Sequence, residues 1–153
     1  MIIELLNSEI RRDEGCNPNL YLDSLGVPTV GVGHNCLAYP LPIGYVFPLT
    51  DDQIEALLDH DLAVTFSGLD LHLPWWRGLD EVRQRVIANM GFNLGVPGLL
   101  KFHHMLDAVR SLDWPTAAAQ MQNSIWYRQV GKRAVRLKQA MLTGIMPDEP
   151  ETI

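Results

Sequence analysis

Glu14, Asp23 and Thr29 stand nine and six residues apart in a chain of 153 residues. Each falls where the chain changes element: Glu14 closes an amphipathic helix, Asp23 opens the turn Asp23-Ser24-Leu25-Gly26, and Thr29 begins the strand-like run Thr29-Val30-Gly31-Val32. Polar groups at three element ends can converge on one cleft wall. Hydrolysis of a glycosidic bond needs two carboxyl groups in unlike settings. One is a protonated acid that gives its proton to the leaving oxygen; the other is a carboxylate that activates water or stabilises the oxocarbenium-like transition state. A helix-end Glu and a turn Asp suit those roles. Acids also punctuate helices and turns in any fold, so spacing alone does not choose between catalysis and punctuation.

The elements that must hold these residues follow from periodicity. Ile2, Leu5, Leu6 and Ile10 recur at three- and four-residue steps, which predicts a helix to about Glu14, stopped by Gly15. Residues 17–48 hold five of the ten prolines and four of the twelve glycines, with short apolar runs, and read as a small twisted antiparallel sheet. Thr50 and Gln53 form a capping box, after which Ile54, Leu57, Leu58, Leu62 and Phe66 keep one face: a long helix from Asp51 to Ser67 or beyond. From Pro74 onward the pattern is helical, with helices expected over 79–94, 99–112, 114–123, 125–129 and 132–143, and a loose tail over 146–153. The expected architecture is α+β: a small antiparallel sheet lobe over about 15–50, a connecting helix over about 51–70, and a larger α-helical lobe over about 75–144 that includes helix 1. An active-site cleft is expected between the lobes.

Composition narrows the function classes. At 47% apolar and 20% charged residues the chain reads as one globular domain. Twelve basic residues against eighteen acidic give a net charge of -6, which offers a polyanion no footprint, so no nucleic-acid partner is expected. Ten of the twelve basic residues follow Pro74, making the helical lobe the basic half. No run approaches a membrane span, and acid at Glu4 comes too early for a secretory segment, so synthesis in the cytoplasm is expected. Gly31-Val32-Gly33 lacks the third glycine of a dinucleotide loop, adjacent His103-His104 lie on different helix faces, and no H-E-x-x-H exists. Neither a cofactor nor a metal is expected. Trp75-Trp76 reads as a junction core pair or a sugar platform. Cys16 and Cys36 read as two free thiols, with a disulfide in an oxidising compartment left open.

The wording around the acids is more specific than their spacing. Arg11-Arg12-Asp13-Glu14-Gly15, Tyr21-x-Asp23 and Thr29-Val30-Gly31-Val32-Gly33-His34 resemble the catalytic signature of the phage-type lysozymes, glycoside hydrolase family 24. The likeness resumes at Thr50-Asp51-Asp52-Gln53, at 89–95, at Asp113-Trp114, at 124–127 and at Arg133-Ala134-Val135-Arg136, in order along nearly the whole chain.

The resemblance implies a lysozyme-like fold and a muramidase cutting the β-1,4 bond between N-acetylmuramic acid and N-acetylglucosamine of bacterial peptidoglycan. It implies Glu14 as general acid, Asp23 as the carboxylate that positions or activates water, and Thr29 as the hydroxyl holding that water. Substrate-binding positions fall on Asn35, Phe92, Met105 and Gln120; His34 and Asp61 fall where that family forms an ion pair. The expectation is a monomeric phage endolysin, made in the host cytoplasm and acting on the wall after release through the inner membrane, with an inverting mechanism. The alternatives are a lytic transglycosylase, which has no need of Asp23 and Thr29, and an inactive peptidoglycan-binding module.

Overall fold

The computed structural model describes residues 1–149. It divides into two compact units, Ile10–Val64 and Met1–Glu9 with the chain from Thr65 onward. The first helix, α1 (Ile3–Glu14), buries Leu6 and Ile10, one turn apart, and ends at Gly15, whose φ of +72° suits a residue without Cβ. Ile2, expected on the buried face, is 46% exposed.

In the smaller unit, β1 (Asn17–Leu22), β2 (Pro28–Gly31) and β3 (His34–Asn35) form an antiparallel sheet in that order. Tyr21 faces Thr29, and Thr29 faces Asn35; Val30 faces His34. Directly opposed residues share a face, so Tyr21, Thr29 and Asn35 form one cross-strand row, while Val30 and His34 lie on the other face and are buried. β3 is only two residues long. The Asn35 side-chain oxygen accepts from the amides of Leu37 and Ala38, both at 2.9 Å, which turns the chain away from the ladder. Residues 36–49 are irregular, tied back where Leu49 N–H donates to the Pro18 carbonyl at 2.8 Å.

The capping box reads true: Gln53 N–H donates to Thr50 Oγ1 at 3.2 Å and Thr50 N–H to Gln53 Oε1 at 3.0 Å. The helix it opens, α2 (Asp51–His72), runs five residues beyond Ser67, because Leu69 continues the apolar face and the next proline is Pro74.

The larger unit is built around α3 (Glu81–Leu94), in which every residue from Arg83 to Gly91 is buried. Asp80, not Leu79, caps it by accepting from Arg83 N–H. The helix expected over 99–112 is shorter, α5 (His103–Arg110), and starts late because Phe102 before it adopts φ -80°, ψ 58°; a separate short helix, α4 (Val96–Leu99), precedes the break. Leu99, Leu100, Phe102, Met105 and Leu106 keep an apolar run through the break, which is why periodicity does not see it. Then follow α6 (Trp114–Gln122), capped by Asp113, α7 (Ile125–Val130), capped by Ser124, and α8 (Lys132–Thr143), ended by Gly144 in the left-handed region.

Trp76 is the core member of the tryptophan pair, fully buried, stacked on Phe66 and donating to Asp70 at 2.8 Å; Trp75 is half-buried. The tail begins tied: Met146 is buried and Glu149 pairs with Arg85, while residues 150–153 of the expected loose segment lie outside the described residues. Three of the ten basic residues after Pro74, Arg83, Arg85 and Arg133, are buried, so the helical unit shows less positive surface than its sequence suggests. Among the described residues no helix is long and apolar enough to cross a membrane.

Candidate functional site

Glu14, Asp23 and Thr29 all belong to the smaller unit. Glu14 is the last residue of α1, whose final turn is fastened to α2 by an ion pair between Arg11 and Glu55. Its carboxyl group lies on the backbone of Gly33: a Cβ placed there would stand 2.9 Å from Glu14 Oε2 and 3.1 Å from its Cδ. Gly33, at φ +68°, thus has two reasons to be glycine, its left-handed backbone and the close approach of the carboxyl. Asp23 is locked into its turn. Oδ1 accepts from Leu25 N–H at 2.8 Å and Val27 N–H at 2.9 Å, and Oδ2 has no hydrogen bond among the described residues. The side chain is exposed, with one oxygen fixed and the other open to a solvent molecule. Thr29 is 5% exposed and its Oγ1 donates to the Val27 carbonyl at 2.8 Å. With its proton committed, the hydroxyl can only accept a further hydrogen bond.

Tyr21 joins this group, and the sequence marked it only as part of a motif. Its phenol sits on the face of Thr29, one strand away, with no hydrogen bond among the described residues. Partial burial, then the charges of Glu14, Asp23 and Cys16, push the phenol's pKa up, so it stays a neutral donor amid carboxylates. Asn35 continues the row on β3, its amide oxygen already used in the turn that follows.

Behind the sheet, His34 is 2% exposed. The expected ion pair forms: Nδ1 lies 2.8 Å from Asp61 Oδ2, and Nε2 lies 2.8 Å from the Tyr39 carbonyl. Both partners only accept, so the doubly protonated ring satisfies both at once. Burial pulls the imidazole pKa down, but the hydrogen bond and charge of Asp61 and the Tyr39 carbonyl together outweigh it and leave it raised. Through this pair α2 anchors the strand that begins right after Gly33.

The other positions expected to bind substrate lie in the larger unit. Phe92 is half-buried on α3. Met105 is 1% exposed and therefore mainly a core residue, yet it reaches the wall of a pocket of about 250 Å³ to which Gln120 on α6 also contributes. The structure therefore brings Met105 and Gln120 together, and Thr29 and Asn35 together; Phe92 does not line the Met105–Gln120 pocket. Lys101, His103 and His104 line it as well; from sequence the two histidines read as surface or cleft polar residues and Lys101 as one of the basic residues of the helical lobe.

The two thiols are free, Cys16 exposed and Cys36 half-buried. Sheet register separates them. Cys16 precedes Asn17, which faces Gly31, whereas Cys36 bonds through its N–H to the Pro28 carbonyl, at the other end and on the other side of β2. Two inter-strand spacings alone make about 10 Å, beyond the ~7 Å that a disulfide can bridge. No group of three or more possible metal-ligating His, Cys, Asp or Glu occurs among the described residues.

The chain is 32% identical to the pre-baseplate central spike protein Gp5 of Enterobacteria phage T4, over 88% of this chain and 27% of that protein, so it spans about a quarter of that relative's length. Probable T4-type lysozymes 1 and 2 of Dictyostelium discoideum are each 26% identical, over 95% and 96% of this chain and 98% and 99% of theirs. The sequence profile described as phage lysozyme matches residues 11–140, which takes in Glu14, Asp23, Thr29 and the four positions expected to bind substrate: the chain belongs to the phage lysozyme family.

Proposed function

We propose that this chain is a peptidoglycan hydrolase, a muramidase that cuts the β-1,4 bond between N-acetylmuramic acid and N-acetylglucosamine with inversion at the anomeric carbon. The observation that carries the reading is the division of labour among three side chains of one unit. Glu14 is a helix-end carboxyl seated on Gly33, Asp23 offers one unengaged oxygen, and Thr29 offers lone pairs but no proton. In this reading Glu14 protonates the glycosidic oxygen. A water gives one hydrogen bond to Asp23 Oδ2 and one to Thr29 Oγ1, which turns an oxygen lone pair toward the anomeric carbon. Asp23 takes its proton as the new C–O bond forms and the bond from the anomeric carbon to the oxygen protonated by Glu14 breaks. A hydroxyl that can only accept is suited to orienting water and has no evident use if Asp23 attacks directly, which favours inversion over a covalent intermediate.

Glu14→Gln tests the assignment: the amide has no proton to give, so lysis of permeabilised cells should fall to under about a tenth of wild type with the melting temperature unchanged. Residual activity above that removes Glu14 from the role. An NMR time course should show the α-anomer first; β-anomer as initial product overturns inversion and leaves the substrate standing. Reducing ends among the products speak for hydrolysis, and 1,6-anhydro ends for a lytic transglycosylase. An inactive wall-binding module would bind peptidoglycan and release nothing.

The biological setting belongs to the same proposal: a monomeric endolysin of a phage, made in the host cytoplasm and reaching the wall after release through the inner membrane. The identity to a spike protein favours a second setting, a lysozyme unit carried on a virion. Mass spectrometry of purified particles separates the two, since an endolysin should be absent from them.

A further inference from the structure

The irregular stretch that follows β3 is thinly anchored. Its start is turned on Asn35, which accepts from the amides of Leu37, Ala38 and Tyr39, and Cys36 N–H donates to the Pro28 carbonyl. From Pro40 to Pro48 the described residues make one backbone hydrogen bond, Tyr45 N–H to the Pro42 carbonyl, inside the stretch itself. Packing adds little there: Ile43 and Val46 are exposed, and Leu41 and Tyr45 are half-buried. Residues 40–48 therefore hang between two anchors, Leu49 N–H on the Pro18 carbonyl at the far end and the Tyr39 carbonyl on His34 Nε2, at 2.8 Å, at the near one. A segment with so few buried contacts lies at the low end of local stability, where one hydrogen bond decides whether it is held.

The near anchor is conditional. His34 stands between two groups that only accept, Asp61 Oδ2 at Nδ1 and the Tyr39 carbonyl at Nε2, and the doubly protonated ring has an N–H for each. The neutral ring has one. A hydrogen bond to an ionised acceptor is roughly twice as strong as one to a neutral acceptor, so the remaining proton stays on Nδ1 toward Asp61. Nε2 then points a lone pair at the Tyr39 oxygen, and the contact repels. The titratable groups around the ring are Asp61 and His60 on α2, His60 Nδ1 lying 3.1 Å from the other Asp61 oxygen; the Tyr39 phenol, whose ring meets His60 edge-on; the Cys36 thiol, whose pKa burial and then Asp61 push up; and Glu14, seated on the preceding Gly33. Among the described residues none of them donates to the Tyr39 carbonyl, whereas Tyr39 is exposed enough for water to do so once the carbonyl turns away.

We propose that His34 is a pH-operated catch: the protonated ring holds residues 40–48 at the Tyr39 carbonyl, and loss of its proton releases them while the sheet stays folded. With its pKa raised above the ordinary 6.5, the ring keeps the catch closed in mildly acidic solution and opens it on the alkaline side. The catch adjoins Asn35, the outer member of the row that holds Thr29, and it operates whether or not the chain cleaves peptidoglycan.

The test is cleavage of the whole chain by proteinase K from about pH 5 to about pH 10, with cut sites mapped by mass spectrometry and each rate divided by that of a free peptide of residues 36–49 at the same pH. The His34 ring is titrated in parallel by NMR. Cutting within residues 40–48 should rise about tenfold as pH passes the midpoint of the ring, the scale of one hydrogen bond to a charged group. No change across that midpoint, or cuts that rise equally throughout Ile10–Val64, overturns the proposal. Asp61→Asn separates a catch from general weakening. Its amide donates to Nδ1, the neutral ring keeps its proton on Nε2 for the Tyr39 carbonyl, and cutting should stay low at both ends of the range. Cutting raised at every pH in that variant overturns the proposal, and should the variant not fold, the wild-type curve decides alone. His60→Gln should keep the wild-type pH dependence; its loss would make His60 the trigger and overturn the assignment to His34.

Discussion

The two units hold buried charge by opposite means. In the larger one, Arg85 is 1% exposed and is met by Glu9, itself 1% exposed, by Glu81 at 2.7 Å and by Glu149 at 2.5 Å. Burial lowers the guanidinium's pKa, but the hydrogen bond of Glu81 and the charge of Glu9, with Glu149, leave it raised above an already extreme value. Arg85 therefore keeps its positive charge at any pH a cell meets. In the smaller unit the buried cation is His34, whose charge does change near neutrality. One unit is wired for constancy and the other, which holds the candidate acid and base, is tied together by a group that titrates.

Removing the constant partner is the harshest way to break this contrast. Arg85→Met should cost about 3–5 kcal/mol by chemical denaturation, because it strands Glu9 in the core. Adding Glu9→Leu should recover most of the loss; if the double variant is as unstable as the single one, packing of the Arg85 stem matters more than its charge.

Gly33→Ala should cost about 1–2 kcal/mol from the left-handed backbone alone. It should also cut activity by more than its stability loss explains, since the new methyl would push the Glu14 carboxyl aside. A variant with full specific activity would show that the seat on Gly33 is dispensable.

The pH dependence sharpens the comparison from the other side. A raised folded-state pKa means that His34 contributes stability fully below its unfolded value of ~6.5, and that this contribution is lost as pH rises through the folded value. Thermal melts from pH 6 to pH 8 should therefore decline in wild type and decline less in His34→Gln. Identical slopes would detach the pair from stability. The smallest effect expected is that of Tyr21→Phe: an unchanged fold, and a few-fold drop in kcat with KM held, together with an altered pH profile of activity. A change in KM alone would make the phenol a substrate contact.

The legibility of the sequence follows the range of the interaction. Thr50 and Gln53 satisfy each other across three residues, and their bonds stand as the pattern implied. Asp23 in its turn is equally local, and so was readable as an element end before any function was argued. The break at Phe102 hides inside a continuous apolar run, and the contact of Glu14 with Gly33 joins residues nineteen apart that no periodicity relates. Tyr21, Thr29 and Asn35 become one row only once the register is known. Lys101, His103 and His104 could not be assigned to one pocket from sequence, because that pocket needs α5 and α6 side by side.

The larger unit is discontinuous in sequence, whereas the smaller one is a single stretch. Met1–Glu9 belongs with residues that follow Thr65: Ile2 donates through its N–H to Glu81 at 2.9 Å, and Glu9 reaches its partner at Arg85. On a ribosome, then, the first nine residues emerge early and wait for some seventy more before their companions are synthesised. The sheet unit, with its acid, its turn and its strands all encoded between Ile10 and Val64, can assemble in that interval. Birth order along the nascent chain thus favours the part that carries Glu14, Asp23 and Thr29, and leaves Glu9 exposed to water until its arginine arrives.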